Sequence, residues 1–137
     1  MTEIRIALVG FGNVGRALVR LLAEKQELLR ANYGFSTLVT GIATGHHAMA
    51  INENGINVEE ALRLSEDGQD LTPLSALPVP SSIMDFISVV PADVLFENSP
   101  VNHNTGRPAA DYLRAALEQG MHAITANKGP VVHAYNS

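Results

Sequence analysis

Residues 4–9, IRIALV, are almost wholly apolar and end at Gly10. A run this short, with β-branched Ile4, Ile6 and Val9, predicts a strand buried on both faces of a parallel sheet. From Val14 the apolar positions recur at Val14, Leu18, Leu21, Leu22, Leu28 and Leu29, with Arg16, Arg20, Glu24 and Glu27 on the other side. That spacing predicts an amphipathic helix. NYGFS at 32–36 breaks it, and TLVTGIAT at 37–44 predicts a second buried strand.

The stretch 45–80 is rich in Gly, Asn and Pro and predicts mostly loop, with an Asn-Gly turn signal in NENG at 52–55. Within it, NVEEALRL predicts a helix with Asn57 as N-cap and Glu60 at the capping-box position. SSIMDFISVV at 81–90 predicts a short helix stopped by Pro91, and a third strand follows at about 93–97. TGRPAADYLRAALEQG predicts a further helix, with Pro108 in its first turn, Gly120 past its end and an apolar face of Ala109, Leu113, Ala116 and Leu117. MHAITAN at 121–127 predicts a fourth strand. Strands separated by helices, with connections too long for hairpins, predict a doubly wound α/β domain: a mainly parallel sheet with helices on both faces.

Composition narrows the function classes. A chain of 137 residues with no internal repeat predicts one domain. A formal net charge of −5 argues against nucleic acid as a partner, since phosphate binding needs clustered Lys and Arg. No apolar run approaches a membrane span, and the N-terminus lacks a signal-peptide pattern, so a cytoplasmic protein is expected. Cysteine is absent, which removes disulfides, thiolate ligands and the thiol that aldehyde-acylating dehydrogenases use. His46, His47, His103, His122 and His133 show no metal-ligand spacing, so no metal site is expected. Met49, Met84 and Met121 are expected to fill core, Asp93 to lie at the surface, and Glu97 to belong to a strand-end crevice.

Gly10, Gly12 and Gly15 fit the G-x-G-x-x-G spacing of a Rossmann dinucleotide site. Gly10 would make the tight turn, Gly12 would admit a pyrophosphate to backbone amides, and Gly15 would let helix and strand pack closely. The context, strand before and helix after, separates this from a bland turn. The second strand ends in IATGHHA without the carboxylate that usually holds a ribose. Thr44, His46 or His47 would tolerate a 2′-phosphate there, which leans toward NADP over NAD. ENSP at 97–100 and TANKGP at 125–130 fall at the ends of the third and fourth strands, where open α/β sheets bind ligands. Ser99, Asn127 and Lys128 should therefore converge on the nicotinamide end. Lys128, one of two lysines, could polarise a reacting carbonyl or pass it a proton; a solvent-exposed turn lysine is the bland alternative.

GFGNVGRALVRLL together with DVLFENSPVNHNTGRPAADYLRAALEQGMHAITANKGPVV resembles the cofactor domain of homoserine dehydrogenase, from residue 4 to about 132. The ANKGP element is the most specific part. The resemblance implies NAD(P)-dependent interconversion of L-homoserine and L-aspartate 4-semialdehyde, with small-molecule substrates. It implies that backbone around Phe11, Asn13 and Val14 holds the cofactor phosphates, that Ser99 lies by the nicotinamide, and that Lys128 touches cofactor and substrate as a catalytic group. Pro100 and Asn127 are implied as neighbours. Family members continue into a substrate and dimerisation domain that these 137 residues do not contain, so the cofactor domain alone is expected to turn over little. A non-catalytic nucleotide-binding or sensor module is the alternative.

Overall fold

The computed structural model describes residues 2–44, 48–99 and 109–126. In chain order the elements are strand β1 (Thr2–Val9), helix α1 (Asn13–Tyr33), strands β2 (Phe35–Ala43) and β3 (Met49–Ile51), helices α2 (Val58–Glu66) and α3 (Ile83–Val89), strand β4 (Val94–Glu97), helix α4 (Ala109–Glu118) and strand β5 (His122–Thr125). A single 3-10 turn at Thr72–Leu74 lies between α2 and α3. The sheet order is β3-β2-β1-β4-β5, and only the β2–β3 pair is antiparallel. This is a Rossmann-like, doubly wound arrangement. No described helix is long and apolar enough to cross a membrane.

The period of two along β1 builds both halves of the core. Ile6 and Leu8 pack with Val19, Ile42, Ala61, Leu64 and Leu71 on the α1–α2 face. Ala7 and Val9 pack with Phe86, Ile87, Leu95 and Ala116 on the α3–α4 face. Burial on both faces from Ile6 to Val9 is why that half of the strand carries no polar residue, whereas Thr2, Glu3 and Arg5 lie in its less buried half.

Several expectations shift in detail. Helix α1 runs through Tyr33 and stops at Gly34, whose left-handed φ of 71° and N–H to the Arg30 carbonyl at 3.2 Å close it, so β2 starts at Phe35. Val14, Leu21 and Leu28, expected on its core face, are about half exposed. The buried stripe lies instead on Gly15 and Val19, with Leu18 and Leu22 partly buried beside them, and Gln26 donates to the Thr37 hydroxyl at 2.8 Å. In α4, Ala109 and Ala116 are buried as expected, but Leu117 is exposed. Pro108 lies outside the described residues. Met49 and Met121 fill core, whereas Met84 faces outward.

Strand β3 was expected as loop. Three residues are too few for a period to show, and its Ile51 is held by Ser75, which accepts from the Ile51 N–H at 3.0 Å. Asn57 caps α2 as expected, accepting from the Glu60 N–H at 3.1 Å. The Glu60 side chain pairs with Arg63, so the reciprocal half of the capping box is not made. Between β1 and β2 the register jumps from Ile6–Val39 to Ala7–Gly41, and the extra residue, Thr40, is buried with its hydroxyl donating to the Pro91 carbonyl at 2.9 Å.

At the opposite end of the sheet from the glycine loop, Arg5 and Asp93 pin β1 to β4. The Arg5 N–H donates to Asp93 Oδ2 at 2.8 Å, the guanidinium reaches both carboxylate oxygens, and the Asp93 N–H returns to the Arg5 carbonyl. Asp93 is thus at the surface as expected, yet tied. The Arg5 backbone and side-chain hydrogen bonds hold its carboxyl below the ordinary range; burial opposes them, and the Arg5 and His122 charges add to the lowering. A depressed carboxylate stabilises the fold above its unfolded pKa and loses that contribution as pH falls through its folded pKa. Asp93→Asn is therefore expected to lower stability by roughly 1 kcal/mol at neutral pH, the pair being partly exposed. The difference should fade on acidification below about pH 4, followed by urea unfolding at several pH values. A pH-independent difference would contradict this.

Candidate functional site

The three glycines of the loop between β1 and α1 have three different surroundings. Gly10 has φ +98°, outside the range of side-chain-bearing residues, and its N–H donates to the Ala43 carbonyl at 2.7 Å. A Cβ there would lie 2.8 Å from the Asn98 carbonyl carbon and the Ser99 nitrogen. At Gly15 a Cβ would lie 2.9 Å from Asn98 Oδ1 and 3.0 Å from the Gly10 carbonyl oxygen. Gly12 differs: among the described residues a Cβ would meet nothing within 4 Å. The turn needs Gly10 and Gly15 for its own packing, whereas the space over Gly12 is free for something else.

Gly12 is also the N-cap of α1, with no side-chain cap and no acidic residue in the first turn. The amides at the start of α1 therefore lack the side-chain acceptor that helix N-termini ordinarily recruit. Beside them Asn13 is exposed, its Oδ1 accepting from the Arg16 guanidinium at 2.9 Å. Val14 is half exposed, and the Phe11 side chain is buried in the α1–α2 core, leaving its backbone to the loop. An uncapped helix start that presents N–H groups and the positive end of the helix dipole suits an anion.

Asn98, which the sequence reading passed over within ENSP, joins this loop to the end of β4. Its Nδ2 donates to the Gly10 carbonyl at 2.9 Å and the Val9 carbonyl at 3.3 Å, and its N–H donates to Val9 at 2.9 Å. Its Oδ1 is buried against Gly15 with no hydrogen-bond partner among the described residues. The available signal was positional: a primary amide one residue past a strand that adjoins a glycine turn.

On the other side of β4, Glu97 is fully buried. Its Oε2 accepts from the Ser99 N–H at 2.8 Å and from the Ser99 hydroxyl, and its Oε1 accepts from the Thr125 hydroxyl at 2.8 Å. The Ala126 N–H donates to the Glu97 carbonyl at 3.0 Å. The ends of β4 and β5 are thereby fastened, with Ser99 buried between them and Gly10. Pro100, Asn127 and Lys128 lie outside the described residues; the described chain reaches Ala126 at the end of β5.

At the end of β2, Thr44 closes the turn into β3: its hydroxyl accepts from the Ala48 N–H at 3.2 Å and its N–H donates to the Ala48 carbonyl at 2.9 Å. Among the described residues no acceptor takes its hydroxyl proton. His46 and His47 lie outside the described residues. Two surface depressions, one between α1 and α2 around Arg20 and Asn57 and one between α3 and α4 around Met84 and Tyr112, include no residue of the glycine loop or the β4 end.

Comparison with known proteins agrees with this geometry. The family profile described as "Homoserine dehydrogenase, NAD binding domain" matches residues 10–137. The chain belongs to the homoserine dehydrogenase family. It is 34% identical over 131 residues to the NAD(+)-dependent homoserine dehydrogenase of Pseudomonas canavaninivorans, covering 96% of this chain and 37% of that protein. It is 32% identical over 130 residues to the homoserine dehydrogenase of Methanocaldococcus jannaschii, covering 95% and 38%. The crystal structure of the Thermoplasma acidophilum homoserine dehydrogenase superposes with a TM-score of 0.77 at 25% identity, over 98% of this chain and 38% of that one. The chain thus spans a little over a third of the length of these relatives and corresponds to the nucleotide-cofactor domain of homoserine dehydrogenase.

Two substitutions test the packing of the loop. Gly10→Ala, strained in φ and pressed against backbone, is expected to destabilise the fold by about 3 kcal/mol in denaturant unfolding. Gly15→Ala should cost about 1–2 kcal/mol, and less in an Asn98→Ala background that removes the obstructing amide. Strictly additive effects would show that residues 15 and 98 do not share the space.

Proposed function

We propose that this domain holds a nicotinamide dinucleotide across the C-terminal ends of β1 and β4 and serves an enzyme that interconverts L-homoserine and L-aspartate 4-semialdehyde. The observation that carries the reading is the free space over Gly12 at the uncapped start of α1, immediately beside the Asn98–Ser99 end of β4. Strand β1 is where the order reverses, α1 leading toward β2 and the later chain toward β4, and such switch points are where open α/β sheets bind dinucleotides.

In this reading the α1 amides at Asn13, Val14 and Gly15 and the backbone of Phe11 and Gly12 hold the pyrophosphate. Ser99, with Pro100 and Asn127 nearby, borders the nicotinamide. When bound, that ring supplies or accepts the hydride. Lys128 follows β5 by a few residues and gives or withdraws a proton at the substrate's C4 oxygen, polarising the carbonyl in the direction of reduction. Because β2 ends without a carboxylate, a 2′-phosphate meets no like charge beside Thr44, and we read NADP as the preferred cofactor over NAD.

Fluorescence titration with NADPH and NADH tests this directly. Saturable binding of both, tighter for NADPH, is expected; the reverse order assigns NAD, and binding of neither overturns the cofactor reading. Gly12→Val should weaken binding at least ~100-fold, since a side chain there occupies the pyrophosphate's approach. Its unfolding midpoint should stay near that of the wild type, because among the described residues a Cβ there meets nothing within 4 Å beyond its own chain neighbours. In the full-length enzyme, Lys128→Ala should lower kcat with little change in cofactor affinity, and wild-type turnover would remove Lys128 from the chemistry.

A further inference from the structure

Glu97 is the one charged side chain in the fully buried set among the described residues. Removing a carboxylate from water costs on the order of several kcal/mol, and an apolar residue of similar volume would fill the space beside Leu95 without that penalty. The carboxylate does something an apolar residue cannot. Oε2 accepts two donors from Ser99, its N–H and its hydroxyl, while Oε1 accepts the Thr125 hydroxyl from the neighbouring strand. An amide in its place presents a donor on one of its two terminal atoms, so it keeps the Ser99 contacts only by turning the Thr125 hydroxyl from donor into acceptor. The influence of Glu97 extends to α4, where the Tyr112 phenol is pushed up by burial first and then by the Glu97 and Asp111 carboxylates.

We propose that Glu97 is a positioning residue for the nicotinamide half of the cofactor: it fixes the Ser99 hydroxyl and holds the end of β5, which leads into Lys128, at a set distance from it. The inference rests on the dinucleotide reading above. Ser99, its proton directed at Glu97, meets other groups through its oxygen lone pairs, so Glu97 sets not only where Ser99 stands but which hydrogen-bond partner it accepts. The pyrophosphate amides lie on the other side of β4 and are organised by Asn98, not by Glu97. A defect at Glu97 should therefore divide the cofactor in two.

The test compares the whole dinucleotide with its adenosine half on the same protein. Glu97→Gln is expected to weaken NADPH and NADH binding by about tenfold. Affinity for 2′-phospho-ADP-ribose and ADP-ribose, which lack the nicotinamide, should change by less than about twofold. In a Ser99→Ala background the Glu97→Gln loss should largely disappear, because the group being positioned is already gone. Thr125→Val, nearly isosteric, provides the same split in smaller measure and keeps the question answerable if Glu97→Gln does not fold. Equal losses for the dinucleotide and its adenosine half, or no loss for either, in whichever variant folds would overturn the proposal by leaving Glu97 a structural group alone. A wild-type protein that binds neither ligand would instead remove the dinucleotide reading underneath it.

Discussion

The contact on which the rest depends is the one between Asn98 and the glycine loop. Its amide nitrogen donates to the Gly10 carbonyl while its oxygen lies against the α carbon of Gly15. Both glycines are thereby required by a residue more than eighty positions away, and the path of the chain from β1 into α1 is set by the end of β4. A loop held in this way is pre-formed, so little of its conformational entropy remains to be lost when a ligand arrives. The direction of the α1 amides, and with it the proposed anion site, follows from that single clamp.

Around it the strand ends of the sheet are arranged by polar groups that the core would not otherwise tolerate. Glu97, the last residue of β4, and Asn98, the residue after it, reach the ends of the two neighbouring strands. Asn98 secures the loop after β1, and Glu97 secures the end of β5. Arg5 and Asp93 do the corresponding work at the other end of β1 and β4, but in contact with water, where the pair contributes little more than register. The difference in burial between these polar fastenings decides their roles: the exposed pair is worth about 1 kcal/mol, whereas removing one partner of a buried contact leaves the other without water to replace it.

How far this could be read from the residues alone depends on how local the cause was. The strands β1, β2, β4 and β5 and all four helices show a period or a cap within a short window, Gly34 after α1 and Asn57 before α2 among them. Strand β3 does not, since three residues carry no period and its hold on Ser75 is tertiary. The face of α1 was misjudged for a related reason. A helix with leucine at Leu18, Leu21, Leu22, Leu28 and Leu29 offers more than one apolar stripe, and the choice falls to the small residues Gly15 and Val19 that permit close approach. In the site, Gly10, Gly12 and Gly15 were visible as a spacing, whereas Asn98 acts only across the fold and left no local mark.

The spacing itself acquires a different meaning once the contacts are known. A pattern of three glycines suggests three instances of one requirement, but here two are internal and one is external. Gly10 and Gly15 would be needed even if the domain bound nothing, because Asn98 and the backbone of Ser99 and Gly10 occupy the space their side chains would fill. Among the described residues nothing demands glycine at 12: its φ of −87° suits any residue, a Cβ would meet nothing within 4 Å, and glycine at a helix N-cap gives up the hydrogen bond that Ser, Asp or Asn would supply. A position where the fold permits a side chain, and even favours one, yet holds none is better explained by a ligand than by folding.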